Sequence, residues 1–402
     1  MTGFRELPDD AATEWTETIR RIHQSGVRMV VSVTGGGAGL LGRLLEVPGG
    51  SRSLLEARVP YSPVALTEWL GRAPEQACSR ATALGMAAVA ERRARQLDAG
   101  LPVDSSTPTP LWLGVAGTSA LVSDRPKKGD HRCHLAVHSS RASHAVSVTL
   151  AKGLRDRGEE ERLVADLLLS LVADQLGIEP PCIELREGAD LYDERRVEAD
   201  PWERELLEGS RGVVWRLGGQ PAQSEPPVPI RGVFPGSFNP AHAGHRQLRE
   251  IAIRRLGGAV AWEISTLNVD KPPLDLITLA DRCGQFAGEP IVLTRAPLFA
   301  QKAEVLPGMV FVVGADTAVR LVDPKYYGGE PEVMREALVR IQHQGCRFLV
   351  AGRVQDGHYL SLETLPIPTE FEELFEGLSE EEFRCDLSST ELRRQQRSEH
   401  AE

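Results

Sequence analysis

Residues 232–245 read GVFPGSFNPAHAGH. Apolar Ile230, Val233 and Phe234 predict a strand that runs into a loop of Gly, Pro and Asn. The loop closes on His242-Ala-Gly-His245. Leu248, Ile251, Ala252 and Leu256 then recur at helical spacing. A strand, a glycine loop and a helix start together make an anion site, because first-turn N–H groups and the helix dipole face the same point. His242 and His245, at i and i+3, fall on one side of that turn. Each imidazole can donate to a phosphate oxygen. Gly236 and Gly244 carry no Cβ, which lets backbone approach a ligand.

From Ile230 onward the pattern is βαβα. Strands are expected at 230–234, 260–266, 291–294, 309–314 and 347–352. They are continuous apolar runs, as in a parallel sheet covered on both faces. Ligands of such sheets bind beyond the carboxyl ends of the strands. Lys271, Asp316 and Arg353 follow the second, fourth and fifth strands. Near the end, Leu387-Ser-Ser-Thr-Glu-Leu-Arg393 reads as a capped helix start with an arginine one turn on. Ser388, Ser389 or Thr390 can bind phosphate there, and Arg393 can pair with it bidentately.

The 232–245 stretch resembles the HxGH signature of the nucleotidyltransferase superfamily. Its form GSFNPxHxGH is most similar to nicotinamide or nicotinate mononucleotide adenylyltransferases. Residues 387–393 resemble that family's ISSTxIR motif, and Phe311–Thr317 (FVVGADT) its GAD motif. The resemblance implies a Rossmann-like, doubly wound parallel sheet over 230–402. It implies His242, His245, Lys271 and Arg393 as catalytic residues. Gly236, Ser237, Phe238, Asn239, Gly244, Gly314, Asp316, Ser388, Ser389 and Thr390 would bind nucleotide. Lys271 also reads as a solvated loop lysine. The implied substrates are ATP, with Mg²⁺, and a small phosphorylated acceptor, nicotinamide or nicotinate mononucleotide being favoured. Alternatives are a cytidylyl- or adenylyltransferase for another acceptor, or a nucleotide sensor with a residual N-terminal deamidase. No protein cage for a metal is evident.

Residues 1–185 read as a separate α/β domain. A strand at 27–33 feeds Thr34-Gly-Gly-Gly37 and a helix, a second potential anion site. Helices are expected at 11–25, 63–70, 74–97 and 159–176. A strand is expected at 110–117, and paired antiparallel strands at 131–139 and 143–150. These segments, at low identity, resemble the amidohydrolase domain of CinA-type competence-damage proteins. Val31-Ser-Val-Thr-Gly-Gly36 stands for that family's ESCTGG, Tyr61-Ser-Pro-Val-Ala-Leu66 for YSNxAK, and Gly114–Thr118 for GIAGP. The resemblance makes Ser32, Thr34, Gly35, Gly36, Tyr61 and Gly117 the candidates. The family's lysine, however, is Leu66 here, and a serine nucleophile needs an adjacent base. Lys127 or Lys128 are possible substitutes. A degenerate domain that binds nucleotide or holds a dimer is favoured, and for Ser32 a simple helix-capping role stays open. Residues 186–229, rich in charge and then in Gly and Pro, are expected to be a linker, with a helix around 202–208.

Bulk composition agrees with this. The 402 residues exceed one ordinary core, and 41% hydrophobic with 26% charged residues is ordinary for a globular protein. A net charge of −11 argues against nucleic acid as a partner. No apolar run spans a bilayer, and the acidic, polar start does not read as a signal peptide. Six scattered cysteines (Cys78, Cys133, Cys182, Cys283, Cys346, Cys385) fit reduced thiols of a cytoplasmic chain. A homo-oligomer is compatible with all of this.

One prediction follows from the last motif. A lysine cannot reproduce a bidentate guanidinium grip. Losing one charge-assisted hydrogen bond costs about 1.5 kcal/mol. Arg393→Lys should therefore bind ATP roughly tenfold more weakly in calorimetry, with an unchanged melting temperature. Retained ATP affinity with lowered stability would make Arg393 structural.

Overall fold

The computed structural model describes residues 9–100, 109–125, 127–183, 185–186, 188–268, 271–355 and 358–384. Side chains 9–12, 354, 355 and 358 are outside the description. The chain forms two compact units: 1–199 with 270–278, and 200–269 with 279–402.

Unit 1 contains α1 (Asp9–Gln24), β1 (Arg28–Thr34), α2 (Gly39–Glu46), β2 (Leu54–Arg58), α3 (Pro63–Leu70) and α4 (Arg80–Asp98). It continues with β3 (Trp112–Ala120), β4 (His131–His138), β5 (Ala142–Leu150), α5 (Arg157–Gln175) and β6 (Leu191–Glu198). The six strands form one sheet in the order β2-β1-β3-β4-β5-β6. β1 is parallel to β2 and β3, and the remaining pairs are antiparallel. Val31 and Val33 of β1 pack in a core with Ile19, Leu40, Leu44 and Leu168 from α1, α2 and α5. Val30, one step along the strand, meets Ala90 and Ala94 of α4 on the opposite face. The alanines of α4 let it lie close to the sheet. A Cβ at Gly114 of β3 would stand 1.9 Å from the Ala87 carbonyl oxygen.

Unit 2 contains α6 (Pro201–Glu208), β7 (Val213–Leu217), β8 (Ile230–Pro235), α7 (Ala243–Leu256), β9 (Ala259–Ser265) and β10 (Pro290–Thr294). It continues with α9 (Phe299–Val305), β11 (Val310–Gly314), α10 (Ala315–Val322), α11 (Pro331–His343) and β12 (Arg347–Ala351). The short strands β13 (Arg353–Gln355), β14 (His358–Leu360) and β15 (Phe375–Gly377) end it. Helix α8 (Leu276–Gly284) crosses the boundary between units. Seven strands form a sheet in the order β15-β12-β11-β8-β9-β10-β7. All neighbours are parallel except β10 and β7. From β8 the chain moves outward through β9 to β10, then crosses to β11 and β12 on the other side. β8 and β11 therefore flank a topological switch point. Val233, Phe311 and Phe348 pack against Ala303, Leu321 and Leu338 of α9, α10 and α11.

Two expectations need correction. The helix expected at 74–97 starts at Arg80, where Ser79 accepts the Thr82 N–H as its cap. The expected linker 186–229 holds, besides the expected helix α6, the strands β6 and β7, which edge the two sheets. β6 was illegible because its sequence, LYDERRVE, is exposed along most of its length. Charge suits an edge strand, and no apolar period results. The segment before β6 is pinned by Asp190. Its carboxylate accepts from both Arg155 Nη atoms (3.0 and 2.6 Å) and from the Ala151 and Arg186 N–H groups. Against the cost of burial, those donors hold the carboxyl down to about 2.

Unit 2 also buries an ion pair. Glu263 of β9 is 1% exposed and accepts from Lys302 Nζ of α9 at 2.6 Å and from Thr294 Oγ1 at 2.5 Å. Removing one partner of such a pair strands the other charge, at about 3–5 kcal/mol. Lys302→Met should lower unit 2 stability by about that much in urea unfolding, and Lys302→Met/Glu263→Met should recover most of it. Equal losses in the single and double variants would show that the pair does not act as a unit.

Candidate active site

Pro235 ends β8, and the chain turns through residues 236–242 into α7. The Gly236 N–H donates to the Glu263 carbonyl at 3.0 Å, so the loop leaves the sheet still tied to β9. Phe238 has φ 41°, a left-handed conformation that costs a bulky residue about 1–3 kcal/mol. Packing compensates. The Phe238 ring is 1% exposed and lies edge-on to Phe234, Trp262, Phe286 and His245, with centroids 4.9–5.7 Å apart. A Cβ at Gly236 would stand 2.5 Å from that ring. Gly236 thus makes room for Phe238, a role distinct from ligand approach. Ser237 is half-buried and Asn239 exposed.

His242 is the N-cap residue of α7, in extended conformation, and Gly244 is buried in the first turn. The His242 and His245 rings stack at 3.6 Å between centroids, 29° apart. The His242 backbone N–H donates to His245 Nδ1 at 3.2 Å. An accepting Nδ1 places the His245 proton on Nε2. Burial, assisted by neighbouring His242, lowers the His245 pKa from 6.5 to about 4. Burial lowers that of His242 too. At neutral pH His245 is therefore an uncharged Nε2–H donor. His242 Nδ1 is buried without a hydrogen-bond partner among the described residues, a polar atom available to a ligand.

Across the switch point, Gly314 is the N-cap residue of α10, and a Cβ there would meet nothing within 4 Å among the described residues. Asp316 follows in the first turn and is ion-paired to Arg353, just beyond β12. Arg353 was legible only as a polar residue at a strand end. Lys271 is exposed and belongs to the segment 270–278, grouped with unit 1. Ser388, Ser389, Thr390 and Arg393 lie outside the described residues. The structure thus brings together Gly236–His245 on one side of the β8/β11 switch point and Gly314 with Asp316 on the other.

The N-terminal candidates fare differently. Ser32 lies inside β1 at 0% exposure, and its Oγ has no hydrogen-bond partner among the described residues. Alternation puts it on the α4 face of the sheet with Val30. Tyr61 is 69% exposed, whereas Leu66 is 3% exposed in the core of α3 and α4. Position 66 is thus a core position, and its leucine supplies no base. Lys127 Nζ donates to the Leu121 carbonyl at 2.7 Å, and Lys128 is exposed.

The glycine loop of unit 1 is also filled by its own chain. A Cβ at Gly35 would stand 1.9 Å from the Ser119 carbonyl oxygen, at Gly36 2.6 Å from Leu121, and at Gly117 3.1 Å from Leu135. These glycines serve packing, and Thr34 is buried with them at 8% exposure. The Gly39 N–H, at the start of α2, donates to the Glu161 carboxylate at 3.2 Å. Arg157 Nη2 donates to the Gly35 carbonyl at 3.0 Å. The helix start expected to receive an anion already has a carboxylate.

Comparison with known proteins finds similarities to both parts of the chain. Residues 233–395 match the cytidylyltransferase-like family model, and the C-terminal part of the chain is a domain of that kind. Among curated proteins, the chain is 41% identical over 71 residues to a probable nicotinate-nucleotide adenylyltransferase of Agrobacterium fabrum. It is 46% identical over 52 residues to one of Mesorhizobium japonicum. These matches cover 17% and 13% of this chain, and 38% and 27% of the relatives, so the chain spans well under half of their length. Solved structures similar to the N-terminal part include the competence/damage inducible protein CihA of Agrobacterium tumefaciens (20% identity, TM-score 0.32, 43% of this chain and 98% of that one). A CinA superfamily protein of Enterobacter cloacae is similar as well (16%, TM-score 0.31, 44% and 97%).

The lowered pKa has a direct consequence. The folded unit refuses a proton that an unfolded imidazole takes near 6.5. The stability due to neutral His245 is therefore full above about 6.5 and is lost as pH falls toward about 4. In ¹⁵N-detected NMR of the full chain, His245 should remain the Nε2–H tautomer down to about pH 5. An Nδ1–H tautomer, or titration near 6.5, would contradict the geometry.

Proposed function

We propose that unit 2 transfers a nucleotidyl group from a nucleoside triphosphate to a phosphorylated acceptor and releases pyrophosphate. The favoured donor is ATP, entering as its magnesium complex. The favoured acceptor is nicotinate or nicotinamide mononucleotide. The observation that carries this reading is the His242–His245 pair at the start of α7, beside the switch point. One imidazole is fixed as a neutral N–H donor, and the other has a buried nitrogen with no partner among the described residues.

The chemistry needs little else from the protein. The acceptor's phosphate oxygen attacks the α-phosphorus, a P–O bond forms, and the bond to the β-phosphate oxygen breaks with its electrons going to pyrophosphate. The nucleophile is already anionic, so no general base is required. Catalysis is alignment plus stabilisation of charge on the α-phosphate and the leaving group. First-turn N–H groups of α7 and His245 Nε2–H suit that work. Neutral donors suit it because they bind phosphate oxygens without depending on a proton taken up near neutral pH. Magnesium would be held by phosphate oxygens and water. In this reading Asp316, ion-paired with Arg353, orients the nucleoside end of the ligand.

For unit 1 we infer a non-hydrolytic role. This is supported by the burial of Ser32, the core position of Leu66 and the Glu161 carboxylate at the α2 start.

The test is purified full-length protein with a panel of nucleoside triphosphates and phosphorylated acceptors, read as pyrophosphate. ATP with nicotinate or nicotinamide mononucleotide should give turnover, without ammonia release. His245→Ala should lower kcat by roughly 10²-fold or more, as losing one preorganised donor does. Near-wild-type turnover in a folded His245→Ala protein would overturn the assignment. CTP as the sole productive donor would replace the adenylyl reading with a cytidylyl one.

A further inference from the structure

We propose that Gln285 is a positioning residue for the loop that holds the histidines. Its side-chain amide clamps the loop at two backbone groups and thereby sets the register of His242 and His245. The catalytic part of this proposal rests on the nucleotidyl-transfer reading above.

Gln285 lies after α8, 44 residues along the chain from Ala241. Its Oε1 accepts the Ala241 N–H at 2.8 Å, and its Nε2 donates to the Phe238 carbonyl at 2.9 Å. Nε2 also donates to the Arg282 carbonyl at 3.3 Å. The orientation of the amide is settled by its partners, because both carbonyls need a donor and Ala241 needs an acceptor. The two loop groups lie on either side of Asn239 and Pro240. One planar amide therefore closes the loop as a neighbouring strand would, with one bond accepted and one given. The Gln285 main chain acts on the adjoining helix. Its carbonyl accepts from Arg246 Nη2 at 2.8 Å, and Arg246 Nη1 reaches Glu289 at 2.9 Å. Arg246 directly follows His245 in α7.

The loop has reason to need such a clamp. Phe238 sits at positive φ, a conformation that persists only where surroundings over-determine it. Aromatic packing fixes its ring, and the Gln285 amide fixes its carbonyl. Three residues beyond Ala241's neighbour Pro240 comes the first turn whose N–H groups would face phosphate. Displacement by about 1 Å at such a distance from the chemistry can cost roughly 10²-fold in rate. No other side chain has the right chemistry at this length. Glutamate keeps the acceptor but loses the donor unless it is protonated, and methionine keeps the volume but loses both.

Two variants of the full chain test this. Gln285→Met should lower kcat by roughly 10²-fold, with KM for ATP changed far less. Gln285→Glu should be defective at about pH 8 and should regain activity relative to wild type toward about pH 5, as its carboxyl takes up a proton and becomes a donor. The Gln285→Met to wild-type ratio should stay flat over that range. Hydrogen exchange at the Ala241 amide reads the clamp without turnover, and it should be faster by about tenfold in Gln285→Met. Wild-type-like kcat in Gln285→Met, or a flat pH ratio for Gln285→Glu, overturns the catalytic part. Unchanged Ala241 exchange overturns the clamp itself. A wild-type protein silent with every acceptor defeats the nucleotidyl-transfer reading and with it the catalytic part, and Ala241 exchange then decides the clamp alone.

Discussion

Everything in unit 2 depends on β8 being a central strand, with β9 on one side and β11 on the other. β8 pairs with β11 at Gly232 and Val233 and with β9 as far as Pro235, so its carboxyl end is held by β9. The chain leaves β8 and β11 toward opposite sides, and a crevice must open between the two departing loops. The HxGH loop occupies one lip and Gly314-Ala315-Asp316 the other. The Gly236 N–H on the Glu263 carbonyl and the buried Glu263–Lys302 pair stiffen the floor on the β9 side.

That floor permits the chemistry of the histidines. A helix start with two exposed, titrating imidazoles would bind phosphate most strongly in acid and weakly at neutral pH. Here burial keeps His245 neutral, and the His242 N–H chooses its tautomer. The donor is therefore fixed before a ligand arrives, so little reorganisation is left for the reaction. Unit 1 shows the contrasting outcome of a similar motif. Its strand–glycine loop–helix unit faces a carboxylate of its own chain and carbonyl oxygens of its own sheet. A glycine-rich turn before a helix is permissive for anion binding, and what packs against it decides whether the site is open.

Much of this was legible in the chain. β8 to β12 are runs of apolar residues with polar ends, and they fold as strands nearly where the pattern placed them. The antiparallel pair β4 and β5 was equally plain. β6 was not, because its LYDERRVE carries charge and lacks an apolar period, and β7, a five-residue VVWRL between glycine-containing stretches, is too short to stand out. Within the site, HAGH was legible as spacing, but the tautomer was not, since it depends on a backbone N–H turning toward Nδ1. Gln285 was invisible because nothing in DRCGQFAGE announces a side chain that reaches back to Phe238 and Ala241. Ser32 was legible as a motif residue, yet its burial follows from strand alternation against α4. Leu66 already read as a departure from the resembled pattern, and the structure supplies its role as core.

The most direct measurement follows the label. Full-length protein is incubated with nicotinate mononucleotide and ATP labelled either on its α- or on its γ-phosphorus. Nucleotidyl transfer at the β8/β11 switch point predicts that the α-label appears in a dinucleotide and the γ-label in pyrophosphate. Recovery of the γ-label as inorganic phosphate or on the acceptor, with the α-label left in ADP, would contradict it.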